Sequence, residues 1–572
     1  MFRALCSLCA AAVLTVSACA PAEPAADVET AVPVVYAPAN RPDVRGTRGA
    51  VSAGHPLAAQ AGLDVLKSGG NAVDAALAMA AVLAVVRPHM NGVGGDAFVF
   101  VHEAASGEVH ALNGSGRAGA LATPAFFTDA GFDAVPERGA ASVSVPGAVA
   151  AWVDVHERFG TRPFAELLQP AIGYARDGFP VSTRLASDIA SQGDALEADG
   201  AALYMPDGAP PAVGSLLRNP ALAATLERIA RDGKAGFYQG PVAERLATVI
   251  EVGGGHVRAA DLAAHTSTWV EPLRTEYLGH EFLVFPPNTQ GIAQLQYFDM
   301  AEAHDVRGMG WNTAPYLHTL IELKKLAFAD RDRWVGDPDH VEIPVRDLLD
   351  PDYLSRRAGL IDAGRAAEGV ESGVGDPLPE APETDDGGDT VYLTAVDADG
   401  NAVSWIQSLY AGFGSGILDP ETGVVLHNRG ALYRLQEGHP NQVAPGTRPY
   451  HTLTPMMALR DGRFAFTMGT PGGDSQPQSL IQIVNNLLMF GMTPQEAIEA
   501  PRFRSYDDLG VAVEDRIHPT VRSALQALGH EIRVIEGWTS TFGGAQMIMV
   551  DPASGTLVVG SDPRREAYGL AY

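Results

Sequence analysis

The sequence predicts a mixed α/β (α+β) fold. Helical and strand patterns alternate along most of the 572 residues, and we find no internal repeat of roughly 20 to 50 residues, which disfavours solenoids and propellers. The composition, with 46% hydrophobic and 19% charged residues, is that of a folded globular protein. At about 150 residues per domain, the length allows three to four domains or one large core.

Apolar periodicity and capping signals predict the helices. Residues 56–66 and 72–86 form two of them, separated by the Ser-Gly-Gly stop at 68–70. The second is apolar on nearly all sides, which indicates burial in a core, and it is too short to span a membrane. Further helices are predicted at residues 148–158, 163–176 and 314–333.

Alternating patterns predict strands at residues 98–102 and 109–113 around a Ser-Gly turn. A second hairpin is predicted from strands at 390–396 and 402–409, which flank the turn signal Asp399-Gly400. The segment 366–389 precedes this hairpin and carries five acidic residues between positions 380 and 389. We expect it to be exposed and mobile.

The N-terminus resembles a secretory signal. Residues 1–18 combine an early arginine with an apolar run, and Val16-Ser17-Ala18-Cys19 is similar to a bacterial lipobox. We expect lipidation at Cys19, with residues 19–45 as a proline- and alanine-rich tether; ordinary signal cleavage nearby is the alternative. The protein is then exported, periplasmic and bound to a membrane only through its lipid anchor.

Charge and cysteine usage exclude several classes of function. The net charge of −28 repels a phosphate backbone, so we expect no nucleic-acid partner. The three cysteines, Cys6, Cys9 and Cys19, all lie in the N-terminal segment. The body of the protein therefore has neither a disulfide nor a cysteine nucleophile.

The usual hydrolase motifs are absent from the sequence. None of the four lysines lies in a Ser-x-x-Lys or phosphate-loop motif, and no serine lies in Gly-x-Ser-x-Gly. The His-Glu pairs lack a second histidine at the spacing of a helical zinc site. We expect no metal and no cofactor.

Two glycine clusters remain. Residues 412–416 are predicted to form a turn, since their spacing does not suit a nucleotide-binding loop. Residues 469–475 precede a helix predicted to begin near Gln476, which leaves unpaired N–H groups that could bind an oxyanion. A plain helix-entry turn is the alternative reading of this second cluster.

Several short sequence blocks between Gly46 and the C-terminus are informative when they are taken as a set. In one-letter code they are NAVDAA (71–76), NGVGGD (91–96), PPNTQG (286–291), AFADR (327–331), GDP (336–338), the hairpin 389–416, PGG (471–473) and APRF (500–503). With these blocks the chain resembles the γ-glutamyltranspeptidases (glutathione hydrolases), a family of N-terminal nucleophile hydrolases.

The resemblance implies a four-layer αββα sandwich and a precursor that cuts itself before a threonine. That threonine falls on Thr390, so the cut separates Asp389 from Thr390 and leaves a large chain (46–389) and a small chain (390–572) as a heterodimer. A free α-amino group has a pKa near 7.7 to 8.0, so it can take the proton from the hydroxyl of its own residue. Without the resemblance, Thr390 reads as an ordinary strand residue.

The resemblance also assigns supporting roles. Gly472 and Gly473 would supply oxyanion-binding N–H groups, and Ser408 falls where the family carries a threonine close to the nucleophile. A polar strand position is the alternative for Ser408.

Other positions depart from the family. Its carboxylate-binding arginine aligns with Gly114, three residues before Arg117. The residues that hold the donor's amino group fall on Tyr410, Arg429 and Leu432, and the paired serines near the carboxylate fall on His451 and Thr452. Arg429 repels an ammonium group and attracts a carboxylate. This pattern resembles the glutaryl or cephalosporin acylase-like branch.

We therefore expect a threonine-dependent enzyme that cleaves γ-glutamyl or related acyl amides, with water or an amine as the acceptor. A glutaryl-type acylase of the same family is the first alternative. A periplasmic binding lipoprotein that has lost the chemistry is the second, although intact Thr390, Gly472 and Gly473 argue against it.

Overall fold

Two seven-stranded antiparallel sheets form the centre of the molecule in a computed structural model that describes residues 39–375, 388–506 and 509–572. In chain order the strands are β1 Val44–Gly46, β2 Ala50–Ala53, β3 Asp96–His102, β4 Val109–Gly114, β5 Phe179–Pro180, β6 Leu216–Leu217, β7 Thr268–Val270, β8 Leu273–Tyr277, β9 His280–Val284, β10 Gly388–Val396, β11 Ala402–Ala411, β12 Leu418–Asp419, β13 Val424–Val425, β14 Met456–Arg460, β15 Arg463–Gly469, β16 Phe503–Ser505, β17 Gly510–Glu514, β18 Glu531–Ile535, β19 Gln546–Val550, β20 Leu557–Ser561 and β21 Tyr568–Ala571.

The first sheet has the order β1-β20-β19-β15-β14-β9-β8, and the second has the order β21-β2-β10-β11-β3-β4-β7. Their inner faces meet in an apolar layer that contains Phe98 and Tyr392 from the second sheet and Leu283 and Met457 from the first. The hairpin β10–β11 lies at the centre of the second sheet, so both of its strands are fully buried.

Helices cover the outer faces of both sheets. Their bounds are α1 Pro56–Lys67, α2 Ala72–Val86, α3 Pro124–Asp129, α4 Ala148–Phe159, α5 Phe164–Leu167, α6 Gln169–Asp177, α7 Thr183–Gln192, α8 Ala198–Tyr204, α9 Pro220–Asp232, α10 Ala235–Tyr238, α11 Gly240–Val252, α12 Ala259–Ala263, α13 Gly291–Glu302, α14 Ala314–Trp334, α15 Val345–Leu348, α16 Pro351–Ala358, α17 Ser475–Val484, α18 Pro494–Glu499 and α19 Pro519–Ala527. Helices α1, α2 and α4 pack on the second sheet, and α13, α17 and α18 on the first. The predicted αββα sandwich is confirmed.

Helix α2 shows why the sequence folds in this way. Asn71 caps its N-terminus by accepting from the Asp74 N–H at 2.9 Å, and the Asp74 carboxylate accepts from the Asn71 N–H at 3.0 Å. Every residue of the helix is buried, as its apolar composition predicts. Among the described residues, no helix is both long enough and apolar enough to cross a membrane.

Two predicted elements need correction. The single helix expected at residues 163–176 is instead α5 and α6, because Pro170 lacks the N–H that a continuous helix would need and takes an early position in the second helix. The exposure predicted for the segment 366–389 is found in only part of its described residues: Glu368, Gly369 and Glu371 are exposed, whereas Ala366 donates to the Leu528 carbonyl at 2.7 Å and Asp389 is buried in β10. Residues 376–387 lie outside the described residues.

Candidate functional site

The hairpin β10–β11 carries the predicted nucleophile at an irregularity in its ladder. Asp389 pairs with Tyr410 and Val391 pairs with Gln407, so two residues of β11 lie opposite the single residue Thr390. This arrangement is a β-bulge, a feature that redirects side chains next to active sites. The bulge brings the Ser408 hydroxyl to 3.1 Å from Thr390 Oγ1, and both residues are buried.

The Ser408 hydroxyl is the centre of a hydrogen-bond cluster. It accepts from the Tyr410 N–H at 2.7 Å and from Arg429 Nη2 at 3.0 Å, and it donates to the Asp389 carbonyl oxygen at 2.7 Å. Since the two nitrogen partners can only donate, the Ser408 proton is directed at the carbonyl that precedes Thr390. The cluster therefore places a hydroxyl nucleophile beside a polarised peptide carbonyl.

Arg429 brings a buried positive charge to this cluster. Its guanidinium also donates to Thr452 Oγ1 at 3.2 Å and lies 4.6 Å from the centre of the Tyr410 ring. No carboxylate in the described part of the chain forms an ion pair with it, and its Nε has no hydrogen-bond partner there. Burial lowers the pKa of Arg429 to about 10, so the group is still charged at neutral pH.

The buried Asp96 carboxylate contributes a negative charge that acts on Arg429. Asp96 accepts from the Gly116 N–H at 3.0 Å, the Gly147 N–H at 3.1 Å and His451 Nε2 at 3.2 Å. Burial alone would raise the pKa of Asp96, but His427, His451 and Arg429 hold it well below its usual range. Burial, together with Arg429, lowers the pKa of His451 to about 3, so this imidazole is neutral.

The glycine loop before α17 faces the chain just ahead of Thr390. Gly472 and Gly473 have φ angles of +129° and +55°, which favour glycine, and neither N–H has an acceptor among the described residues. A Cβ added to Gly388 would come within 2.9 Å of the Gly473 Cα. The loop can therefore offer free N–H donors close to the segment that precedes Thr390.

Gln290 connects this loop to the segment before β14 that carries Thr452. Its Nε2 donates to the Thr452 carbonyl at 2.6 Å and to the Gly473 carbonyl at 3.2 Å, and its Oε1 accepts from Arg331 at 3.1 Å and from Tyr450 at 3.2 Å. The side chain is fully buried. One amide thus fixes the distance between the loop and the residues around Arg429.

The structure brings together most of the predicted site residues. The hydroxyl cluster joins Thr390, Ser408, Tyr410, Arg429 and Thr452. His451 is bound instead to Asp96, which pairs with Ser408 in the β3–β11 ladder.

Arg117 has no contact with that cluster and donates instead to the Thr266 carbonyl at 3.1 Å in an exposed position. At Gly114, where the family arginine would stand, a Cβ would lie 2.7 Å from the Ala97 carbonyl oxygen, so a side chain has no room. Cys19 lies outside the described residues.

Two further site residues received no role from the sequence. Asp96 is the last residue of the block NGVGGD, and Gln290 is the last but one of the block PPNTQG. Those blocks were the available signal, but the contacts that define both roles join residues far apart in the chain. In chemical terms, the assembled site can support acyl transfer to a hydroxyl next to a buried cation.

Comparisons with known proteins agree with this geometry. Residues 58–572 match the family model described as gamma-glutamyltranspeptidase. The chain is 37% identical over 529 residues to the glutathione hydrolase-like YwrD proenzyme of Bacillus subtilis, covering 91% of this chain and 98% of that protein. It is 37% identical over 549 residues to the oxamate amidohydrolase proenzyme of Klebsiella pneumoniae, covering 92% and 99%.

Among solved structures, the fold is similar to that of a cephalosporin acylase from Bacillus halodurans. The TM-score is 0.86 at 35% sequence identity, and the match covers 95% of this chain and 99% of that chain.

Proposed function

Since this chain belongs to the γ-glutamyltranspeptidase family and is a self-processing hydrolase of that family, we propose that Thr390 is its nucleophile and that it cuts itself between Asp389 and Thr390. The products are a large chain, whose body is residues 46–389, and a small chain, residues 390–572. The contact between Thr390 and Ser408, whose proton points at the Asp389 carbonyl, supports this assignment.

Self-cleavage proceeds through an ester. Thr390 Oγ1 attacks the Asp389 carbonyl carbon, its proton passes to the departing nitrogen, and the peptide C–N bond breaks to leave the Asp389 acyl group on Oγ1. This step already frees the Thr390 α-amino group; water then hydrolyses the ester, which releases the α-carboxylate of Asp389 and restores the Thr390 hydroxyl. The Ser408 hydroxyl stabilises the negative charge that develops on the carbonyl oxygen.

Turnover uses the same oxygen. The free α-amino group of Thr390 takes the hydroxyl proton, Oγ1 attacks the substrate amide, and the leaving amine departs with that proton. Gly472 and Gly473 donate their N–H groups to the oxyanion, which fits their lack of other acceptors in the described residues. Water or an amine then removes the acyl group from Thr390.

We propose that the acyl group carries a carboxylate and no α-amino group. The observation that carries this proposal is Arg429, a buried cation with no ion-pair partner in the described chain and only the Ser408 hydroxyl between it and Thr390. A substrate carboxylate supplies the missing counter-charge, whereas the ammonium of a γ-glutamyl donor meets a like charge and the apolar Leu432 side chain. The names of two similar proteins, the oxamate amidohydrolase and the cephalosporin acylase, are consistent with acyl donors of this kind.

Two measurements test the proposal. The small chain should begin with Thr390-Val391-Tyr392, and Thr390→Ala should leave one uncut chain; a different N-terminus would overturn the nucleophile. Matched anilides of oxalic, succinic, glutaric and γ-glutamyl acyl groups test the donor. A wild-type preference for the γ-glutamyl anilide would overturn the carboxylate assignment and leave Thr390 in place.

For the N-terminus we propose export by residues 1–18 and lipidation at Cys19, with residues 19–45 as the tether. The lipobox-like sequence Val16 to Cys19 supports this proposal.

A further inference from the structure

The side chain of Asp389, the residue before the proposed cut, is held from two sides. Its Oδ1 accepts from Arg565 Nη1 at 2.5 Å, and its Oδ2 accepts from Gln192 Nε2 at 2.6 Å. The side chains of Asp389 and Arg565 are each only 7% exposed. A buried carboxylate with a donor on each oxygen cannot rotate without breaking a charge-assisted hydrogen bond.

Both partners occupy space that glycines provide. A Cβ on Gly412 would lie 2.0 Å from Gln192 Oε1, and a Cβ on Gly544 would lie 2.7 Å from the Arg565 Cβ. The Arg565 guanidinium is further fixed by donating from Nη2 to the Ser540 carbonyl at 3.2 Å. The turn at residues 412–416 thus has a role beyond chain reversal, because it admits the Gln192 side chain.

We propose that Arg565 and Gln192 are positioning residues for self-cleavage, acting through the Asp389 carboxylate. The inference rests on the proposed cut between Asp389 and Thr390. With its side chain fixed by these two residues and its carbonyl by Ser408, Asp389 presents its carbonyl carbon to Thr390 Oγ1 in one orientation.

The charge of Arg565 has a second effect. Negative charge develops on the Asp389 carbonyl oxygen during attack, and an unpaired carboxylate on the same residue would oppose it. The Arg565 guanidinium neutralises that carboxylate through their ion pair. In this step the bond between Thr390 Oγ1 and the Asp389 carbonyl carbon forms and the peptide C–N bond breaks. Arg565 and Gln192 take no part in these bonds and exchange no proton.

A double-mutant cycle on self-cleavage tests the inference. Purified precursor is followed by gel and mass spectrometry at fixed pH. Loss of one charge-assisted hydrogen bond predicts that Arg565→Ala slows cleavage roughly tenfold to a hundredfold. In an Asp389→Ala background the same substitution should cause no further slowing, because the carboxylate through which it acts is gone.

Three more variants complete the design. Gln192→Leu should slow cleavage in the wild-type background and not in Asp389→Ala, and Arg565→Lys, which retains the charge, should cleave faster than Arg565→Ala. Arg184→Ala is the matched control. Arg184 binds Asp188 and the Arg564 carbonyl and does not contact Asp389, so this variant should cleave at the wild-type rate. If Arg565→Ala fails to fold, the Gln192→Leu cycle and Arg565→Lys carry the test.

Slowing that is the same in both backgrounds, or wild-type rates in Arg565→Ala and Gln192→Leu, would overturn the positioning role. N-terminal sequencing of the products separates this result from a failure of the proposed function. A cut before Thr390 in every variant keeps that function, whereas a cut elsewhere removes it.

Discussion

Replacing Arg429 by methionine separates the effect of its charge on stability from its effect on activity. Burial lowers the pKa of the guanidinium to about 10, which corresponds to about 3 kcal/mol against the charged form in the folded state. Loss of its hydrogen bonds to Ser408 and Thr452, each made by a charged donor, costs at least about 1.5 kcal/mol for each bond. The two losses offset the removal of the burial penalty, so we expect Arg429→Met to be about as stable as the wild type.

Activity should fall although stability is kept. Loss of one charge-assisted hydrogen bond costs about 1.5 to 3 kcal/mol, which lowers kcat/KM on a glutaryl anilide roughly tenfold to a hundredfold. The pentanoyl anilide, which has a methyl group in place of the carboxylate, should be affected much less. Both kcat/KM values are measured per mole of free Thr390 amino terminus, and the melting temperature is measured for each protein.

Equal losses on the two anilides would refute the reasoning, because they would show that Arg429 supports the site without binding a carboxylate. A clear fall in melting temperature would contradict the stability argument independently.

Three further results are expected. Thr390→Ser, which keeps a hydroxyl, should still cut itself but more slowly than the wild type in a gel time course, and an uncut chain would contradict the ester mechanism. Cys19→Ser should move the protein from the membrane to the soluble fraction, since each buried lipid CH₂ contributes about 0.8 kcal/mol, and equal partitioning would reject lipidation. Burial lowers the pKa of His265 to about 3. Below pH 6.5 the unfolded chain therefore binds a proton that the folded chain does not bind, and the free energy of unfolding decreases as the pH is lowered. By pH 5 the free energy of unfolding has fallen by about 2 kcal/mol. His265→Phe, made in the uncut Thr390→Ala chain and measured by urea unfolding, should abolish this loss. If the loss of stability between pH 7 and pH 5 is the same with and without His265, the effect does not come from this residue.

Elements with strong local patterns could be predicted from the sequence. Helix α2 begins and ends where its Asn cap and apolar run predict, and the hairpin β10–β11 follows its alternation and Asp-Gly turn. The predicted helix at 163–176 was wrong because its periodicity continues through Pro170, where the backbone cannot. The strand start at Gly388 was missed because flanking acidic residues resemble a loop, while pairing with β11 decides the structure.

The residues of the candidate site also differ in how far they could be predicted from the sequence. The roles of Thr390 and the glycine pair came from a resemblance, since a threonine in a strand has no local signature. The carboxylate-binding role that we propose for Arg429 was suggested by its charge alone. The hydrogen bonds that hold the Asp389 side chain could not be predicted. Their donors, Gln192 and Arg565, are 197 and 176 residues away from it and belong to none of the short sequence blocks.

The interleaving of the two sheets limits how the cut enzyme can be made. If the chain is cut before Thr390, each sheet contains strands from both products: β1, β8 and β9 of the large chain lie in one sheet with β14, β15, β19 and β20 of the small chain, and the other sheet is mixed in the same way. Neither product can complete a sheet or cover its own core. The two products must therefore stay together to keep either sheet complete, and we expect the fold to form before the cut is made.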